Sequence, residues 1–161
     1  MSLTIEYQLV GTGWAKCTIT SGEVNCEVTA SYLSDALGNL VLGAVSMLSG
    51  ITSVSFGFDE EPGEYRWNVH LSGPTEITLS IFSFFGPLGN QPSTEGESIF
   101  CVTCPLLEFG KAVQAAAMSV LAVHGLAGYR EEWAMHPFPS KALDLLNEYV
   151  ALSESNLRAP D

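Results

Sequence analysis

A chain of 161 residues, 47% hydrophobic and only 15% charged, is about one domain long and apolar enough to bury a core, which excludes a disordered polypeptide. Its 18 acidic residues against 6 basic ones give a formal charge of −12, a field that repels a phosphate backbone. Nucleic acid is thereby excluded as a partner, and the charge, spread from Glu6 to Asp161, either serves solubility or attracts a basic protein surface.

The opening residues, Met1-Ser2-Leu3-Thr4-Ile5-Glu6, lack the basic start and apolar stretch of a signal peptide, so a cytoplasmic single domain over residues 1–161 is expected. Residues 36–58 run for 23 positions without a formal charge, long enough to raise the question of a membrane span. Asn39, the glycines and several Ser/Thr residues interrupt that run, and its second half changes to a strand pattern after Ser49-Gly50, so no membrane partner is expected. Cys17, Cys26, Cys101 and Cys104 are expected to stay reduced, because a chain of this size does not need disulfides to hold a core.

Residues 3–30 read as three strands. A two-residue turn at Ser21-Gly22 would place Ile19 opposite Val24, Cys17 opposite Cys26 and Ala15 opposite Val28 on one apolar face. From Ser31, a candidate N-cap, the period changes to about 3.6, with Leu33, Leu37, Leu40, Val41, Ala44, Val45 and Leu48 on one stripe. Leu42 and Met47 widen that stripe, so a second helix or a subunit is expected on its flank.

A second hairpin follows, with Glu60-Glu61-Pro62-Gly63 in the loop. Its register pairs Phe58 with Tyr65, Phe56 with Trp67 and Val54 with Val69, leaving Ser55, Asn68, Ser53 and His70 on the other face. A turn at Gly73-Pro74-Thr75 extends it into a meander in which Leu71 meets Ile77, Val69 meets Leu79 and Trp67 meets Ile81. Beyond Ile81 the alternation turns Phe82 and Phe84 outward unless a β-bulge re-aims the chain. Gly86 to Gly96 is a loop rich in turn formers, and a last strand runs from Glu97 to Thr103. Pro105 opens a helix carrying Leu106, Phe109, Val113, Ala116, Ala117, Val120 and Leu121 on its apolar stripe. A short helical segment from Tyr129 to Ala134 and a helix from Pro139 to Leu152 complete the chain. The expected fold is α+β, an antiparallel sheet of about six to seven strands in the order βββ-α-ββββ-α-α-α, with helices packed on one face.

Chemical motifs are sparse. Cys101-Val-Thr-Cys104-Pro has redox or half-zinc spacing, but a zinc site needs a second close pair and none exists, so no metal and no cofactor are expected. His70, His124 and His136 form no metal-binding spacing, and no nucleophile elbow, phosphate loop or dinucleotide fingerprint is present. Strand alternation gathers Glu64, Arg66, Asn68 and His70 in one row, which either serves acid/base chemistry or is a solvated sheet face. Trp133, His136, Pro137, Phe138 and Pro139 make either a rigid corner that plugs the core or an aromatic partner-binding edge.

At Phe58-Asp-Glu-Glu-Pro-Gly-Glu-Tyr-Arg-Trp67 and at Tyr129-Arg-Glu-Glu-Trp-Ala-Met-His-Pro-Phe-Pro139 the chain resembles a family of uncharacterised small acidic bacterial proteins. The resemblance implies a bacterial cytoplasmic origin and a setting such as toxin immunity, and it implies no catalytic residue. The leading expectation is therefore a non-enzymatic inhibitor of immunity type that binds a basic protein. Its binding residues would be Glu60, Glu61, Glu64, Arg66, Asn68, His70, Phe82, Phe84 and Trp133. A small-molecule binder or enzyme with a pocket between sheet and helices is the second reading, and a secretion-chaperone-like homodimer joined through its first helix is the third.

Overall fold

Two-residue alternation of apolar and polar side chains builds seven strands in this α+β protein, a computed structural model describing residues 2–86 and 92–158. The order is as expected, with three strands, a helix, four strands and then further helices, but the strands divide between two antiparallel sheets. The first sheet holds β1 (Leu3–Leu9), β2 (Trp14–Ser21) and β3 (Val24–Ser31) in that order. The second holds β4 (Ser53–Asp59), β5 (Glu64–Leu71), β6 (Glu76–Phe84) and β7 (Glu97–Pro105), again in sequence order.

The first hairpin turns one step later than expected. Ser21 pairs with Val24, Ile19 with Cys26 and Cys17 with Val28, so the loop is Gly22-Glu23 and the register moves by two residues. Gly22 has φ 61°, the positive value that a two-residue hairpin accepts at its first loop position. A shift of two preserves which side chains point inward, and Ala15, Cys17, Ile19, Cys26 and Val28 are all buried. Cys17 and Cys26 are diagonal neighbours, not an opposed pair, and all four cysteines are free thiols.

The meander has the register its alternation implies: Phe56 lies opposite Trp67 and Trp67 opposite Ile81, with Trp67, Val69, Leu79 and Ile81 fully buried. The irregularity falls on the other side of β6. Ile81 pairs with Phe100 but Phe82 pairs with Ser98, so Ile99 of β7 is the extra residue, and β6 keeps its alternation against β5.

Helix α1 (Ala36–Leu48) begins at Asp35, whose Oδ1 accepts the Gly38 N–H at 3.2 Å. Ser31 is not the cap, because it still belongs to β3, and its hydroxyl accepts from the Leu33 N–H at 3.4 Å. The start of α1 and the residues just before it also explain why the sheets stay separate. The Asn39 amide donates to the Gly57 carbonyl at 3.0 Å and the Ser34 hydroxyl accepts the Asp59 N–H at 3.0 Å, so the backbone edge of β4 is occupied where β3 comes near. Gly43 lets the Phe56 ring lie against α1, since a Cβ there would strike the ring.

Helix α2 (Leu106–Trp133) packs on β1 and α1, and α3 (Ser140–Arg158) covers α1 and α2. Met47 on the flank of α1 is thus buried, whereas Leu42 remains 50% exposed. Gly125, with φ 67° and ψ 176°, breaks α2, so the short segment expected at Tyr129–Ala134 belongs to a separate helical piece beyond the break, which ends at Trp133. By length and composition alone α2 could cross a membrane, but Phe109, Val113, Ala117 and Val120 on its inner flank are packed into the core. The corner at Phe138 plugs the core, with its ring edge-on to Tyr129 at 5.5 Å. Tyr7, Phe58 and Trp67 carry the aromatic packing from the first sheet to the second.

Candidate functional site

Residues of even number on β5 stand on the face of the second sheet opposite to Trp67 and Val69. The register sets Arg66 beside Phe82, Asn68 beside Ser80 and His70 beside Thr78, with Ser55 and Ser53 of β4 flanking Asn68 and His70 on the other side. Most polar side chains here satisfy one another. The Ser55 hydroxyl donates to Asn68 Oδ1 at 2.8 Å, Thr78 and Thr103 share a hydrogen bond at 3.2 Å, and the Ser80 hydroxyl donates to Cys101 Sγ at 3.4 Å.

One end of the face is partly covered. Arg66 Nη2 donates to Glu64 Oε1 at 2.7 Å, and its guanidinium carbon lies 4.3 Å from the Phe84 ring centroid. The Glu64 and Arg66 side chains are each 12% exposed. A 3-10 turn, Ser93–Glu95, is tied down over this end by a 3.0 Å bond from the Asn68 amide to Ser93 Oγ. Gly96 follows it against the ring of Phe84 and the Cβ of Phe82, so close that a Cβ would collide with Phe84. The loop expected at Gly86–Gly96 is therefore partly structured, while residues 87–91 of it lie outside the described residues.

The acidic turn forms the rim beside Arg66. Glu60 N–H donates to the Gly63 carbonyl at 2.9 Å, and Asp59 lies opposite Glu64 across the ladder. Gly63 takes φ 99°, and a Cβ there would collide with the Phe84 carbonyl oxygen, so this turn requires glycine. Partial burial pushes the Asp59 carboxyl above its ordinary value, helped by the negative charge of Glu64; burial and then the Glu61 charge do the same to Glu60. Close carboxylates at a rim are a field that a cation would relieve.

Two of the expected binding residues are misplaced. Trp133 is fully buried and stacks on Tyr129 at 6.4 Å between ring centroids, because α2 turns that side chain inward to finish the core. Phe84 faces the outer side as its alternation requires, but it is only 5% exposed under Gly96 and Arg66. Phe82 is half-buried, and His70, Glu61 and Ser53 are exposed. Glu64, Arg66 and His70 do not line a cleft between sheet and helices, since the helices and the core lie on the opposite face.

Cys101 and Cys104 point to opposite faces of β7, which prevents them from acting as one chelating or redox pair. Cys104 is buried, and burial with the nearby Glu108 and Glu76 charges pushes its thiol up to about 11, away from reactivity. Cys101 is exposed beside Ser80, a position that counting alternation outward from Phe100 would have found. Among the described residues, no group of three or more His, Cys, Asp or Glu side chains could hold a metal ion.

Concavities lie elsewhere. A groove of about 510 Å³ runs between β1, α2 and Leu157 of α3, and a second of about 340 Å³ lies beside it around Pro74 and Leu106. The charged groups of the first are already engaged: Glu108 accepts the Leu3 N–H at 2.6 Å, and Lys111 pairs with Glu154 at 3.1 Å.

No protein-family model and no curated protein sequence matches this chain. A chain of a solved structure described as a CdiA-CT/CdiI toxin and immunity complex from Enterobacter cloacae is similar over 71% of this chain and 97% of that one, at 9% identity and a TM-score of 0.46. At that distance the likeness determines neither fold family nor function.

Proposed function

We propose that the protein is a non-enzymatic binding module of inhibitor or immunity type, which docks a basic protein through the outer face of its second sheet and the acidic turn at its rim. The observation that carries this reading is the arrangement of charge on that face. Asp59 faces Glu64 across the ladder and Glu60 adjoins Glu61 in the turn that follows; burial first, and these neighbouring negative charges second, raise the proton affinity of Asp59 and Glu60, and an arriving Lys or Arg would relieve the second contribution. The rest of the face offers Asn68, His70, Ser53, Thr78 and Thr103 as a polar contact area, with half-buried Phe82 as its apolar element. Catalysis has less support, because Glu64 is held by Arg66 and His70 stands exposed among hydroxyls.

The test is affinity capture from the native host at low salt, elution in a salt gradient, and comparison of association rates for the identified partner. A basic protein is expected, released by moderate salt. Charge reversal at Glu60 and Glu61 should slow its association by about tenfold at low salt, with Glu64 left intact because it is bound to Arg66. A partner whose on-rate ignores the reversal would sink the electrostatic docking scheme.

A further inference from the structure

The two outer edges of the four-stranded sheet are treated differently. At β4 the edge is stopped by the Asn39 amide on the Gly57 carbonyl and by Ser34 on the Asp59 N–H. At the other end β7 has β6 on one side only. Among the described residues, no hydrogen bond reaches its outer backbone edge between Phe100 and Cys104.

The middle of this edge also lacks the usual protection. Soluble proteins guard edge strands with charges, proline, bulges or brevity. In a chain of net charge −12, residues 98–107 (Ser-Ile-Phe-Cys-Val-Thr-Cys-Pro-Leu-Leu) carry no formal charge at all. The bulge at Ile99 closes the start of the strand and Pro105 its end, which leaves an uncharged run from Phe100 to Cys104 as an open pairing template.

That run is self-complementary. Phe100 and Cys104 are buried and Val102 is half-buried on the inner side, whereas Cys101 and Thr103 are exposed on the outer side. A two-fold axis at Val102 places Phe100 opposite Cys104 of a second copy, Cys101 opposite Thr103, and Val102 opposite itself. Inner residues meet inner residues and outer meet outer, which is what antiparallel pairing across a symmetric interface requires. We propose that β7 pairs with β7 of a second copy of this chain about that axis, joining the two four-stranded sheets, with their outer faces, into one continuous surface.

The proposal carries its own salt signature. Two copies of charge −12 repel one another, so self-pairing strengthens as salt screens the net charge, whereas docking to a basic protein weakens. Sedimentation equilibrium under reducing conditions, carried to millimolar protein at low and high salt, is the test. The mass is expected to rise from 17.2 kDa toward twice that value with concentration, and further at high salt. Cys101→Lys with Thr103→Lys sets lysine opposite lysine twice on an exposed face, so it should abolish the dimer while leaving the circular dichroism unchanged. As a positive variant, Thr103→Cys faces Cys101 of the second copy and should give a diamide-induced dimer, which the control Thr78→Cys, one strand further in, should not. A 17.2 kDa monomer under every condition overturns the proposal, and so does a dimer that the lysine pair leaves intact, because its interface lies elsewhere.

Discussion

Asp59 and Glu60 illustrate how one turn sets the chemistry of single residues. Both carboxyls sit above their ordinary values of 3.8 and 4.5, first through burial and then through a neighbouring negative charge. The folded state therefore holds these protons more tightly than the unfolded chain does. The stabilisation is fully present below the unfolded values, and it is lost as pH rises through the raised folded ones. At neutral pH the ionised pair is a liability, so Asp59→Asn with Glu60→Gln should stabilise the fold at pH 7. The gain should stay under about 1 kcal/mol after solvent screening and vanish near pH 3.5. Denaturant melts of both proteins at the two pH values check this; a gain that persists in acid would mean that charge is not its source. The acidic knot was legible in the sequence. Trp133 was legible only as one of two alternatives, a core plug or a binding edge, and the burial of Phe84 was not legible, because whether an aromatic is exposed depends on what lies above it, and Gly96 lies beyond the intervening loop.

At the scale of elements, periodicity carried most of the fold. The meander register followed from alternation because a slip of one would turn Trp67, Val69 and Ile81 out of the core. The first hairpin was off by two because a shift of two exchanges no faces, so burial cannot discriminate and only the glycine conformation at Gly22 does. Capping was similarly local and similarly ambiguous. Ser31 and Asp35 both precede the apolar stripe, and the choice of Asp35 follows from β3 extending through Ser31. Asp35→Ala should remove the bond to the Gly38 N–H and cost about 0.5–2 kcal/mol, read from a chemical melt, with Ser31→Ala failing to reproduce an N-cap loss in α1 helicity. A wild-type helicity in Asp35→Ala would relocate the cap.

Over the whole molecule, a charge of −12 with few cations makes self-repulsion a standing cost of compactness. Arg66 pairs with Glu64 and Lys111 with Glu154, and with 18 acidic residues against 6 basic ones most carboxylates have no compensating cation. Thermal stability is therefore expected to rise by a few degrees when monovalent salt is raised from about 0.01 to 0.15 M, as the Debye length falls from about 30 to 8 Å. A melting temperature that is flat or falls with salt would show that the charges are too far apart to matter.

By itself the sequence determined the α+β class, the order of strands and first helices, the meander register and the outward row of Glu64, Arg66, Asn68 and His70. Each of these is set by periodicity or by neighbours within one hairpin. Only the tertiary structure decided that the strands form two sheets, that Phe84 lies under Gly96 with Asn68 tied to the Ser93 turn, and that β4 is closed while β7 is open. Those outcomes depend on side chains such as Asn39 and Ser34 meeting backbone groups far along the chain, and no local pattern records which carbonyl a distant amide will reach.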